Sequence, residues 1–216
     1  MGGKVRQGLV ASWRSLRAPL EPENIGMMLD AFADAGFMQR LRARLVADLT
    51  PEQREHLRGL MQVPTDVDAL LRLPEDTFGH HFARHLRRHG FPPDGAHVAF
   101  PAVNQAFARD WILGRFARLH DMLHVLLGFD ITPAGEVAMQ LFHFVNFGEL
   151  HGALALAGLP LLVYHYGQPR EMAREMKRAW TLARQAPNLF VMPVEELLPL
   201  PLDEARRRIG ILPRAS

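Results

Sequence analysis

The chain contains no cysteine. That excludes disulfides and thiolate metal sites, so any bound metal must be held by histidine and carboxylate. Lysine occurs only at Lys4 and Lys177, and arginine carries almost all of the positive charge. The formal net charge is only +2, and no tight basic run interleaves with aromatic residues. A nucleic-acid partner is therefore not expected. Long uncharged runs are scarce too. The longest, residues 150–169, contains His151, Gly152, Gly158, Pro160, His165 and Gly167. A lipid-spanning helix tolerates those poorly, so a buried helix followed by a loop is expected there. No secretory signal, internal repeat or convincing alternating strand pattern is visible.

What is present is a globular composition, 48% apolar with mixed charges. The expected architecture is all-α: residues 1–216 as a single helical domain, large enough for a real core. The stretch that organises it is 110–140. Read as a helix ending at Gly128, with His120 at 0° and about 100° per residue, His124 lies near 40° and Asp121 near 100°. Met122, Leu123, Val125, Leu126 and Leu127 fill the rest of the circle. This is a buried type of helix carrying one polar wedge of two imidazoles and a carboxylate. Such a wedge is costly to bury without partners. His at i and i+4 is a metal-chelating spacing. Gly128 is a natural C-cap, and after a short loop Glu136 opens a second apolar helix, over 135–157. Antiparallel neighbours joined this way bring Glu136 back towards His124. Residue chemistry alone leaves two readings open: a metal site, or core histidines with ordinary hydrogen bonds.

His120-Asp121-x-x-His124, eleven residues and then Glu136 resembles the signature of the fourth coenzyme Q (ubiquinone) biosynthesis protein family. Gly128 and Gly135-Glu136-Val137-Ala138 are similar to it as well. So are Leu73-Pro74-Glu75-Asp76-Thr77-Phe78-Gly79, against the family's Leu-Pro-x-x-Thr-x-Gly, and the tail from Pro193 to Ile211. The resemblance runs from about residue 60 to 211 and is densest at 115–140. It implies a helical protein with a divalent metal and a pocket for a polyprenylated ring. The implied activity is oxidative decarboxylation at C1 of a quinone-precursor ring, replacing carboxyl with hydroxyl. The implied ligands are His120, Asp121, His124 and Glu136, between two long antiparallel core helices. His120 and Asp121 are the candidate catalytic residues, with Asp121 either a ligand or a general base. A His₂–carboxylate set suits Fe(II) or Zn(II). Zinc is redox-silent, so an oxidative reaction favours Fe(II).

Several neighbours are candidates for lining the substrate. Gly114 and Ala117 leave room beside the metal, one to two turns before His120. Gln140, His143 and Phe147 share a face with Glu136. Two rival functions are a non-catalytic lipid-binding scaffold for quinone-biosynthesis enzymes and a His-Asp metal phosphohydrolase. The latter needs a further upstream His and downstream Asp, of which only Asp130 is at hand.

Residues 1–20 hold Lys4, Arg6, Arg14 and Arg17 with no acid, and Val5, Leu9, Trp13, Leu16 and Leu20 form one helical stripe. This is a packing helix or one that lies on an anionic membrane. A second helix is expected at 24–47. The histidines at 80, 81, 85 and 89 are interspersed with Arg84, Arg87 and Arg88. That cationic face repels a dication and reads as solvated or lipid-facing. Arg115 and Arg118 are expected in surface pairs. Residues 91–95 are the best candidate for an internal break. Expected partners are a prenylated quinone precursor, a membrane surface, other enzymes of the pathway and a second copy as homodimer. The arginine bias suggests a bacterial source and a place peripheral to the inner membrane; a eukaryotic source would imply the mitochondrial inner membrane.

Overall fold

The computed structural model describes residues 43–95, 110–148, 156 and 159–211. The amphipathic segment 1–20, most of the helix expected at 24–47, and His151 lie outside them. Among the described residues the regular structure is helical throughout.

Helix α1 (Pro51–Gln62) starts at a capping box in which Thr50 and Gln53 each accept a hydrogen bond from the other's backbone N–H. Helix α2 (Val67–Leu71) is capped by Asp66. Helix α3 (Phe78–His89) follows the Leu73–Gly79 junction. Thr77 caps it, with its hydroxyl accepting from the His80 N–H. Phe78, Phe82 and Leu86, spaced by four, share its buried face. Gly90, at φ 65°, ends it. The central helix α4 (Trp111–Leu127) is buried nearly all round, as its apolar circumference predicts. Helix α5 (Pro133–Phe147) runs back antiparallel to it, and α6 (Leu159–Tyr166), α7 (Pro169–Gln185) and α8 (Leu202–Arg208) complete the set.

Helix α5 lies most extensively along α7, while α4 is packed by α1, α3 and α8. One core joins them, built around Phe82, Leu119, Met122, Leu123, Phe142 and Phe190. The Leu73–Gly79 junction anchors the tail to this core. Phe78 N–H donates to Leu200 O and Gly79 N–H to Leu198 O, both at 2.8 Å. A Cβ on Gly79 would lie 2.9 Å from Leu198 O, so the two backbones meet only because this residue has no side chain.

Three expectations are corrected. The helix expected at 135–157 ends at Phe147, because Gly148 adopts φ 71° and closes it with a left-handed cap. Residues 91–95 are no break. Pro93–Gly95 form a 3-10 turn, and Asp94 accepts from Thr65 N–H (3.0 Å) and Thr65 Oγ1 (2.5 Å) and pairs with Arg118 Nε (2.8 Å). Arg115 and Arg118 are buried rather than at the surface. Arg115 donates to Phe190 O (2.7 Å), Glu195 Oε1 (2.5 Å) and Met192 O, which binds the 187–195 segment to α4. Arg118 donates to Leu60 O (2.9 Å), which also accepts from Val63 N–H, and to Val63 O (3.0 Å), and so ties α4 to the end of α1.

Candidate metal centre

The site forms where α4 ends and α5 begins. Gly128 takes φ 67° and turns the chain. The open carbonyls of this helix end are held by two guanidinium groups. Arg206 donates to Leu126 O (2.9 Å) and Val125 O (3.2 Å), and Arg178 donates to Gly128 O (3.2 Å) and Leu127 O. Arg178 also lies over the Phe129 ring, 4.3 Å from its centroid. Thr132 then caps α5, its hydroxyl accepting from Gly135 N–H at 3.2 Å. A Cβ on Gly135 would fall 1.8 Å from Asp130 O. Only glycine lets the loop carbonyl come this close, and the next residue is Glu136.

These constraints bring His120, His124 and Glu136 together, one ligand atom from each lying within 4.8 Å of the others. His124 Nε2 is 3.2 Å from His120 Nε2 and 3.3 Å from Glu136 Oε1; His120 Nε2 is 3.5 Å from Glu136 Oε2. His124 Nδ1 is 2.9 Å from Phe129 O. A carbonyl only accepts, so Nδ1 carries the proton. That leaves the Nε2 lone pair of the neutral ring directed at the cluster. Fixing the tautomer through the distal nitrogen is how proteins prepare an imidazole for a metal. Two imidazole nitrogens and a carboxylate on one point thus fit a borderline divalent metal such as Zn(II) or Fe(II).

The electrostatics agree with that fit. Burial works to raise the Glu136 carboxyl, yet the His120 and His124 imidazoles beside it hold it well below the usual carboxylate range. Burial works to lower His120, but its hydrogen bond to Glu136, that carboxylate's charge and the charge of Asp121 raise it.

Asp121 is outside this three-residue cluster and acts on it through its charge. Three of the four ligands expected from sequence come together here. His143 is fully buried, with its ring 5.3 Å from His120, 4.8 Å from Phe116 and stacked 5.0 Å from Phe147. Phe147 is buried and Gln140 half-buried, further along α5 from Glu136. Gly114 is buried and Ala117 half-buried on α4, before His120. Asp130 lies exposed in the connecting loop and is not part of the cluster.

One residue of the site was misread from sequence. His85, assigned to a cationic solvated face, stacks on His124 at 5.8 Å with an interplanar angle of 17°, and Phe91 lies edge-on to it at 5.9 Å. Burial, then the neighbouring His124, His89 and His120, push its imidazole down to about 4. Arg84, Arg87 and Arg88 are exposed as expected. The missed signal was helical phase. His85 is three residues from Phe82 and one before Leu86, at the border of the buried face rather than opposite it.

Comparison with known proteins matches the sequence to a family. Residues 3–214 match the family described as coenzyme Q (ubiquinone) biosynthesis protein Coq4. The mitochondrial ubiquinone biosynthesis protein COQ4 of Eremothecium gossypii is 30% identical over 207 residues, 94% of this chain and 62% of that protein. Its counterpart in Phaeosphaeria nodorum is 28% identical over 200 residues, 89% of this chain and 66% of that protein. The chain thus spans a little under two thirds of the length of these relatives. A crystal structure of a putative ubiquinone biosynthesis protein from Nostoc punctiforme superposes with a TM-score of 0.70 at 22% identity, covering 95% of this chain and 97% of that one, and so supports the fold. With the match running almost end to end, the chain belongs to the coenzyme Q (ubiquinone) biosynthesis protein Coq4 family.

Proposed function

We propose that this chain acts in ubiquinone biosynthesis as a metal-dependent enzyme that replaces the C1 carboxyl of a polyprenylated hydroxybenzoate-type ring with hydroxyl. The observation that carries the reading is the convergence of His120, His124 and Glu136 next to the packed rings of Phe116, His143 and Phe147. A divalent metal bound there supplies Lewis acidity towards a ring oxygen, and Fe(II) rather than Zn(II) suits an oxidative reaction. The protein's own groups do the rest. Phe129 O and Glu136 orient the imidazoles. Asp121, whose charge acts on His120, serves as the proton acceptor. Phe116 and Phe147 exclude water and give the ring an apolar wall. Gly114, Ala117 and Gln140 border the space beside the ligands. A long prenyl tail binds by burial, at about 25 cal/mol per Å².

The reaction consumes dioxygen and two electrons and releases carbon dioxide and water. The test supplies the Fe(II)-loaded protein with a polyprenylated 4-hydroxybenzoate-type acid, air and a two-electron reductant, and follows the ring by mass spectrometry. Carboxyl replaced by hydroxyl, lost in His120→Ala, is the expected result. Binding without turnover under any divalent metal would favour a lipid-binding scaffold instead.

No helix of the described residues is long and apolar enough to cross a membrane. A membrane surface is a proposed peripheral partner, engaged through the exposed Arg84, Arg87 and Arg88 and the basic 1–20 segment. The relatives' names favour a mitochondrial setting over the bacterial one. A second copy of the chain and other enzymes of the pathway remain proposed partners.

A further inference from the structure

Buried polar atoms in native proteins almost always find a hydrogen bond, and a cluster of exceptions marks a place where something else binds. Among the described residues, three ring nitrogens from two histidines are buried and without such a partner: His85 Nε2, His143 Nδ1 and His143 Nε2. They come from different helices, α3 and α5, and both rings abut the same cluster. His85 packs on His124 and His143 on His120, so a row of imidazoles runs His85, His124, His120, His143 with centroid spacings of 5.8, 4.8 and 5.3 Å. The two histidines of the candidate metal cluster occupy the middle of the row, and each end is a ring outside that cluster.

A neutral imidazole offers one N–H donor and one lone pair. The surroundings of the end rings are aromatic: His89 and Phe91 beside His85, Phe116 and Phe147 beside His143. In this packing none of these rings, the His89 imidazole included, hydrogen-bonds the three nitrogens, so they are open to a ligand. A ligand that sits among aromatic rings and carries hydrogen-bonding atoms at more than one point of its edge is a planar ring with oxygen substituents.

We propose that His85 and His143 are ligand-positioning residues, each hydrogen-bonding an oxygen substituent of an aromatic acid held at the His120–His124–Glu136 cluster. This rests on the ring-acid reading above, and it assigns to two residues outside the ligand set the work of fixing the ring's orientation. They act on which oxygen pattern is accepted, while the cluster itself is held by α4 and α5.

The test uses the full chain loaded with Zn(II), which binds without turnover, and two soluble probes, 4-hydroxybenzoate and benzoate, by titration calorimetry. His85→Phe and His143→Phe keep the ring packing and remove the nitrogens. His85→Gln and His143→Gln keep a donor and an acceptor. The expected result is wild-type zinc content in all four. Affinity for 4-hydroxybenzoate falls about tenfold in each Phe variant, its preference over benzoate disappears in at least one of them, and the Gln variants recover within about threefold. Phe variants that bind both probes like the wild type would overturn the proposal. So would variants that lose zinc, because the two histidines would then serve the metal. A wild-type protein that binds neither probe overturns both this assignment and the ring-acid reading. Probe binding with the expected pattern but no decarboxylation of the prenylated acid sinks the proposed reaction and leaves the positioning role intact.

Discussion

On one face of α4, Arg115 and Arg118 are buried with their guanidinium groups engaged by backbone carbonyls and by Glu195 and Asp94. Some 120–180° round the same helix, His120 and His124 face Glu136, with His85 and His143 on either side. Both faces bury polar groups, at a cost that only partners offset. On the arginine face the partners are all protein, and they come from segments far apart in sequence. On the histidine face the protein supplies a carboxylate and one carbonyl, and leaves ring nitrogens unsatisfied. A polar face whose charges are matched within the protein, where Glu195 Oε2 and the Asp94-paired Arg118 Nε are the atoms lacking a hydrogen bond, is scaffold. One with ring nitrogens left open, held in place by the first, is where a ligand belongs.

The largest effect that separates the faces is expected at Arg115. Arg115→Ala leaves the Glu195 carboxylate buried without its cation, which should cost about 3–5 kcal/mol in chemical unfolding. Arg115→Met with Glu195→Leu should recover most of that. If Arg115→Ala unfolds like the wild type, the arginine face is not the scaffold.

Next comes the histidine face. His124→Ala should weaken metal binding by at least about 100-fold, since even a group that merely supports a ligand is worth 10–100-fold. Unfolding of the metal-free protein should change far less than for Arg115→Ala. Metal content after identical purification and a denaturation curve of each variant check both halves.

Gly135→Ala probes the seam between the faces' shared helix and α5. Its Cβ would lie 1.8 Å from Asp130 O. The loop or the helix start must shift, at about 1–3 kcal/mol, and Glu136 shifts with it. A variant with wild-type stability and metal affinity would show that the close approach is dispensable.

The smallest effect concerns pH in the metal-free protein. His85 is held down to about 4 in the fold, against an ordinary value near 6.5. Between those values the unfolded chain binds the proton and the folded one does not, so stability falls as pH drops from about 6.5 to 4. Glu136 has the same direction at more acid pH. Its lowered carboxyl contributes stability that is present above the ordinary carboxylate range and is lost as pH falls through the folded value. His120, being raised, contributes below about 6.5 and loses that contribution as pH climbs through its folded value. His85→Phe should flatten the stability–pH slope between about 6.5 and 4 by less than about 1 kcal/mol per pH unit, because the ring is partly exposed and screened. Urea unfolding at a series of pH values reads this directly, and an unchanged slope would place His85 away from the site.

Much of this was legible in the residues alone. The all-α class and the pairing of His120, His124 and Glu136 follow from 3.6-residue periodicity, capping chemistry and one short loop. Each depends on neighbours within a few turns of one another, so local sequence determines it. The roles of Gly79 and Gly135 were visible only as motif letters. What decides them is a carbonyl, from Leu198 in one case and Asp130 in the other, placed where a Cβ would stand. Arg115, Arg118 and His85 were misassigned because a charged or ionisable side chain in a helix gives no sign of whether a distant segment will come to cover it. Arg115 is buried by carbonyls 75 and 77 residues away, and His85 by a ring on another helix. Periodicity fixes which way a side chain leaves its own helix. Only the packing of the other helices decides whether it meets water, a saturating partner, or the edge of a site that a ligand has to complete.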